Sequence, residues 1–120
     1  MRLRVRAKRY STEDRLDAIF HALSDGTRRL LLKRLAQGPA TVGELSKPID
    51  MTRTAVAKHL RVLEKARLMS RTIDGRVHRC ALGPQPLHEA ERWMRDYRAF
   101  WTERLDALAC YAEEHDKDQH

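Results

Sequence analysis

The chain has 120 residues, 42% of them hydrophobic and 34% charged, with a formal net charge of +7. That length holds one compact domain, and the hydrophobic share excludes a chain too polar to collapse. No apolar run reaches the roughly 18 residues of a membrane helix, and the basic start MRLRVRAKRY has no apolar stretch behind it as a secretory signal would, so a cytoplasmic location is expected.

Residues 1–11 read as a basic N-terminal arm outside the fold, with residues 12–115 forming the domain and 116–120 a disordered tail. Ser11 is placed to cap a first helix whose opening turn holds Glu13 and Asp14. Leu16, Ile19, Phe20 and Leu23 follow at helical spacing as one apolar stripe. Ser24 and Asp25 offer a second cap, Leu31, Leu32 and Leu35 line the next helix, and Gly38-Pro39 ends it. Thr41-Val42-Gly43-Glu44 has the form of a capping box opening a very short helix, since Pro48 arrives only a few residues later. After a turn at Ile49-Asp50, Thr52 caps a fourth helix with Val56, Leu60 and Leu63 facing inward. A short helix, a tight turn and a longer helix form a helix-turn-helix.

The period then changes. Leu68–Ile73 and Arg76–Leu82 flank Asp74-Gly75, a pairing that favours a two-residue type I′ hairpin turn. His78, Cys80 and Leu82 share one face of this hairpin, and Val77 and Arg79 the other. A hairpin directly after the second helix of the pair is a wing. Pro84 and Pro86 lead into a last helix running to about His115, with Trp93, Tyr97, Phe100, Trp101, Leu105 and Leu108 as a stripe along it. One small domain does not cover a stripe that long, so a second copy is the expected partner, with Leu16 and Phe20 of the first helix joining the same interface. The expected fold is mainly α with a β-hairpin wing (α+β), a winged helix-turn-helix of four helices, two strands and a closing helix.

The charge follows this order. Residues 51–79 contribute +6 and residues 1–10 contribute +5, while residues 11–50 cancel. A localised basic patch suits a polyanion. With Val56, Leu60 and Leu63 inward, the fourth helix presents Arg53, Thr54, Ala57, Lys58 and Arg61, and His59 is counted with them. Arg53 has the bidentate fork that reads guanine, Thr54 and Ala57 are small enough for close approach, and Lys58 and Arg61 suit phosphates. Thr41 and Thr52 stand at helix N-termini, where hydroxyl and N–H groups suit phosphate oxygens. Arg71, Arg76 and Arg79 are the wing candidates, although Arg71 and Arg79 could instead pair with carboxylates. Double-stranded DNA is thus the expected partner. Dispersed acids, no nucleophile grouping and no Gly-rich phosphate loop argue against an enzyme.

Residues 16–82 resemble the arsenic-repressor (ArsR) family of winged-helix regulators. The resemblance lies in Ala22–Arg28, in Thr41–Leu45, in Ala55–Leu63 and in the wing's Asp74–Val77. It implies a homodimeric repressor with terminal helices packed across a two-fold axis and a recognition helix in each major groove of an inverted-repeat operator. Gly26 departs from the family's usual proline, and Arg67 from a glycine that commonly ends the recognition helix. The Thr41–Leu45 helix has no cysteine or histidine, so the thiolate metal site of many members is not expected, and no cofactor is. The last helix resembles a branch lacking metal ligands. The alternatives are a winged-helix module docking an acidic protein, and a metal- or redox-sensing repressor using Cys110.

Overall fold

A computed structural model describes residues 11–118. Helix α1 spans Thr12–Leu23, and the Ser11 hydroxyl and Asp14 carboxylate close a reciprocal capping box at its start. Helix α2 (Gly26–Leu35) begins at Asp25, whose side chain accepts from the Arg28 amide. Strand β1 (Ala40–Thr41) runs straight into the five-residue helix α3 (Val42–Ser46), and α4 covers Arg53–Lys65. Strands β2 (Met69–Asp74) and β3 (Val77–Leu82) form the hairpin, and α5 runs from Gln85 to Asp118. The expected basic arm lies outside the described residues apart from Ser11, and α5 continues three residues past His115 into the segment expected as tail.

The sheet has three antiparallel strands in the order β1-β3-β2. Strand β1, not anticipated from the sequence, pairs Ala40 with Cys80 and Thr41 with Arg79. Two residues are too short to carry a period, and Thr41 is at once strand residue and helix cap, so the capping signal hid the strand. The hairpin turn also differs from expectation. Asp74 pairs with Val77, which makes Gly75-Arg76 the two loop residues. Positive φ falls on Gly75 and not on Arg76, the pattern of a glycine-first type II′ turn rather than type I′.

One core lies within residues 11–90. Ile19 and Ala22 from α1, Leu31, Leu32 and Leu35 from α2, Leu45 from α3 and Val56, Leu60 and Leu63 from α4 meet Leu68, Met69 and Cys80 of the wing base. Val56, Leu60, Leu63, Leu68 and Cys80 are wholly buried. Helix α4 closes on a Schellman motif. The Arg67 amide donates to the Glu64 carbonyl and the Leu68 amide to the Leu63 carbonyl, with Arg67 at φ +61°. A side chain held there costs about 1–2 kcal/mol, a cost that glycine at this position would not carry.

Residues 91–118 form a second unit, a bare stretch of α5. Every side chain described there, through Asp116, is exposed. Among the described residues no helix is long and apolar enough to cross a membrane.

Candidate nucleic-acid interface

Helix α4 is anchored at both ends and sealed on one side, and this decides what its other side can do. The Thr52 hydroxyl accepts from the Ala55 amide at 3.1 Å and starts the helix. Its inner face is buried against the core, so its outer face presents Arg53, Thr54, Lys58 and Arg61 to solvent with Ala57 half-buried among them. Four of the six helix residues expected to meet DNA therefore stand free on one surface.

Arg53 has a definite resting place. A Cβ added to Gly43 would stand 3.1 Å from its guanidinium, so the missing side chain on α3 leaves the space in which that group lies. Thr41 itself is occupied by capping. Its hydroxyl accepts from the Glu44 amide and donates to the Glu44 carboxylate at 2.9 Å. The Thr41 amide also donates to that carboxylate, and these bonds hold the Glu44 carboxyl below the usual carboxylate range, with Arg34 and Arg79 adding to the effect.

Two sequence-predicted contacts are turned elsewhere. His59 is directed at α2, its Nδ1 3.2 Å from the Arg28 guanidinium and 3.8 Å from the Asp25 carboxylate, and it is not part of the free outer face. The cause is Arg28, a residue that the sequence reading left out of the site. It is 8% exposed, and it donates to the carbonyls of Ala22 and His21 that end α1. Arg28 thus ties the end of α1, the start of α2 and the flank of α4 into one hydrogen-bonded corner. The signal available was an arginine three residues after a cap, in the first turn of a helix otherwise read for its leucines. Asp25 shares this corner, where the Arg28 amide, then the charges of His59 and Arg28, hold its carboxyl low.

Arg71 is the second. It pairs with a carboxylate, the alternative the sequence left open: its guanidinium lies 3.5 Å from Glu64 and also contacts His78. Arg76, in the turn itself, and Arg79, opposite Thr41 on β3, are both exposed. The Cys80 thiol is buried, which pushes its titration upward and leaves it a packing residue rather than a reactive thiolate. Cys110 is exposed on α5. Among the described residues no group of three or more His, Cys, Asp or Glu is placed to hold a metal ion.

Of the residues expected at a dimer interface, Leu16 is buried within residues 11–90 and Phe20 packs partly on the core there. Trp93, Tyr97, Phe100, Trp101, Leu105 and Leu108 are all exposed on α5, joined by Tyr111. The Trp93 and Tyr97 rings stack at 4.7 Å, Phe100 and Trp101 meet edge-on at 5.8 Å, and Arg104 covers Phe100 at 4.1 Å. Trp93, Asp96, Tyr97 and Phe100 line an open groove on this face.

Comparison with known proteins agrees with this architecture. Residues 25–71, from the α2 cap to Arg71, match the bacterial regulatory protein arsR family. The chain is 40% identical to the HTH-type transcriptional regulator Rv2034 of Mycobacterium tuberculosis, over 78% of this chain and 84% of that one. It is 27% identical to the transcriptional repressor SdpR of Bacillus subtilis, over 68% of this chain and 91% of the repressor. The crystal structure of an ArsR family transcriptional regulator superposes with a TM-score of 0.72 at 39% identity, covering 78% of this chain and 95% of that one. The chain therefore belongs to the arsR family of bacterial regulatory proteins and is a winged helix-turn-helix transcriptional regulator.

Proposed function

We propose that the protein acts as a homodimeric repressor that binds an inverted-repeat operator in duplex DNA, with α4 in the major groove and the hairpin along its flank. The observation that carries this reading is the division of α4. One face is sealed into the core at Val56, Leu60 and Leu63, and the other offers Arg53, Thr54, Lys58 and Arg61 to solvent. Arg53 reads a base edge, Lys58 and Arg61 neutralise phosphates, and Arg76 meets the backbone or the minor groove beside them. Two copies joined through α5 place two such helices about one turn of DNA apart. The exposed aromatic stripe supports the pairing, because a large apolar surface left open on a helix marks an interface. The name of the Bacillus subtilis relative supports negative control. No metal or cofactor is assigned, and the cytoplasm is the compartment that suits such a regulator.

Selection of duplexes from random sequence, followed by footprinting, tests the reading. The expected result is a two-fold-symmetric site whose affinity falls steeply as salt rises, since each phosphate contact releases counterions. Arg53→Ala relaxes base preference, whereas Lys58→Ala weakens all sequences alike. An affinity indifferent to salt, or recovered sequences with no shared pattern, would overturn it.

A further inference from the structure

The wing divides at its middle. At its base, Met69 and Cys80 are 2% and 0% exposed and belong to the core, but toward the turn Ile73 and Val77 are 61% and 47% exposed. The outer half, which carries Arg76, therefore has no apolar anchor. What its inner face carries beside Ile73 is a polar pair, Arg71 and His78. Arg71 pairs across the hairpin with Cys80, and its guanidinium reaches the neighbouring inward position, 3.1 Å from His78 Nδ1. The other arm of the same guanidinium lies 3.5 Å from the Glu64 carboxylate in the last turn of α4. Arg71 is 85% buried by side chain, since only 15% of it is exposed, and its Nε is buried without a hydrogen-bond partner. Burial of a charge with an unmade bond is a poor source of stability, and an apolar side chain in its place is often neutral or better. What the arrangement supplies is direction.

We propose that Arg71 is a positioning residue for DNA binding, a clamp that sets the outer wing and Arg76 against the recognition helix by bridging His78 on β3 to Glu64 on α4. The inference rests on the wing meeting DNA, as proposed above. Chemistry fixes the state in which the clamp is closed. Arginine only donates, so the His78 Nδ1 must accept, which requires a neutral imidazole with its proton on Nε2. Among the described residues, the charged groups linked to that ring are Arg71 on β2 and, beyond it, Glu64 on α4, with the Cys80 thiol one inward step along β3. A protonated His78 has nothing to accept with at Nδ1 and stands against a permanent cation. Acid therefore opens the clamp, and operator affinity drops although a polyanion by itself favours protonated histidines.

The test measures affinity for the best duplex recovered by selection, at pH 8 and pH 5.5, for wild type and Arg71→Lys, His78→Phe, His78→Gln and Arg76→Ala. Thermal unfolding of each variant confirms a folded protein. Lysine lacks the fork that holds two partners at once, and phenylalanine lacks the acceptor, so both are expected to lose roughly five- to tenfold at pH 8. Both should also show a salt slope lowered by about one contact per protomer. Glutamine offers an acceptor that does not titrate. His78→Gln is expected to keep wild-type affinity at pH 8 and to lose less of it at pH 5.5, the other histidines being common to both proteins. Equal pH profiles for wild type and His78→Gln, or full affinity in His78→Phe, would overturn the clamp while Arg76→Ala still weakens binding. An Arg76→Ala variant that binds as wild type would instead overturn the wing contact on which the clamp depends.

Discussion

Residues 11–90 and residues 91–118 are built from similar helix-forming sequence but end in opposite states. In the first unit the large apolar side chains of four helices and a hairpin close over one another, and Ile19, Leu31, Leu45, Leu60 and Leu68 are almost wholly removed from water. In the second, Trp93, Tyr97, Phe100, Trp101, Leu105, Leu108 and Tyr111 are 38–60% exposed. Rings at this spacing do stack along the helix, Trp93 on Tyr97 and Tyr97 on Phe100, but such contacts leave much of each ring open to water. A unit that satisfies itself is a scaffold. A helix that does not leaves an apolar surface open, the one that the proposal above gives to a second copy.

Truncation separates the two. Leu60→Ala removes a wholly buried side chain from the junction of α4 with the core and is expected to cost about 2–5 kcal/mol in denaturant unfolding. Leu105, 56% exposed in a single chain, should behave differently. Leu105→Glu is expected to leave the winged unit folded by circular dichroism while light scattering shows a monomer for the variant and the proposed dimer for wild type. Loss of the second recognition helix then weakens operator binding on the order of a hundredfold. A Leu105→Glu protein that remains dimeric would place the interface elsewhere.

The same contrast explains what was legible in the sequence. Helices α1 to α4 announce themselves by caps and by stripes of one apolar face, because local chemistry and tertiary burial agree there. Ser11, Asp25, Thr41 and Thr52 all cap as their spacing predicts. Strand β1 was invisible because its existence depends on Cys80 and Arg79, some 40 residues away. The turn was misregistered by one residue because Asp74-Gly75 and Gly75-Arg76 differ only in which glycine-adjacent residue the strands pair. Within the site, the outer residues of α4 follow from helix geometry alone. What did not follow was the occupation of His59 and, for Arg71, which of two open readings holds, since Arg28 and Glu64 reach them across the fold rather than along the chain. A polar side chain's partner is a tertiary fact.

Arg67 is a place where the sequence departs from what its fold prefers. It holds φ +61° just after α4, the left-handed position of the Schellman turn. Arg67→Gly relieves the clash of Cβ with the following carbonyl and gives back part of that gain as extra freedom in the unfolded chain. The net expectation is a stabilisation of about 0.5–1 kcal/mol, read as a higher denaturant midpoint with an unchanged slope. A destabilised variant would mean that the arginine side chain contributes more than its backbone costs.

The smallest effect compares two glutamates, one in each unit. Glu44 closes the capping box of α3, where the Thr41 amide and hydroxyl hold its carboxyl below the usual range. A depressed folded-state carboxyl stabilises the protein above the range in which the unfolded glutamate titrates, and that contribution is lost as pH falls through the lower folded value. Glu91, by contrast, pairs with Arg95 on an exposed helix surface, the two side chains 56% and 62% exposed. Such a pair is screened and contributes little. Glu44→Gln keeps an acceptor for Thr41 but cannot take up a proton, so its stability should fall less than that of wild type on acidification from neutral pH into the carboxylate range. Glu91→Gln should follow the wild-type curve. Parallel curves for all three would show that a cap in the folded unit is no more anchored than a salt bridge on the open helix.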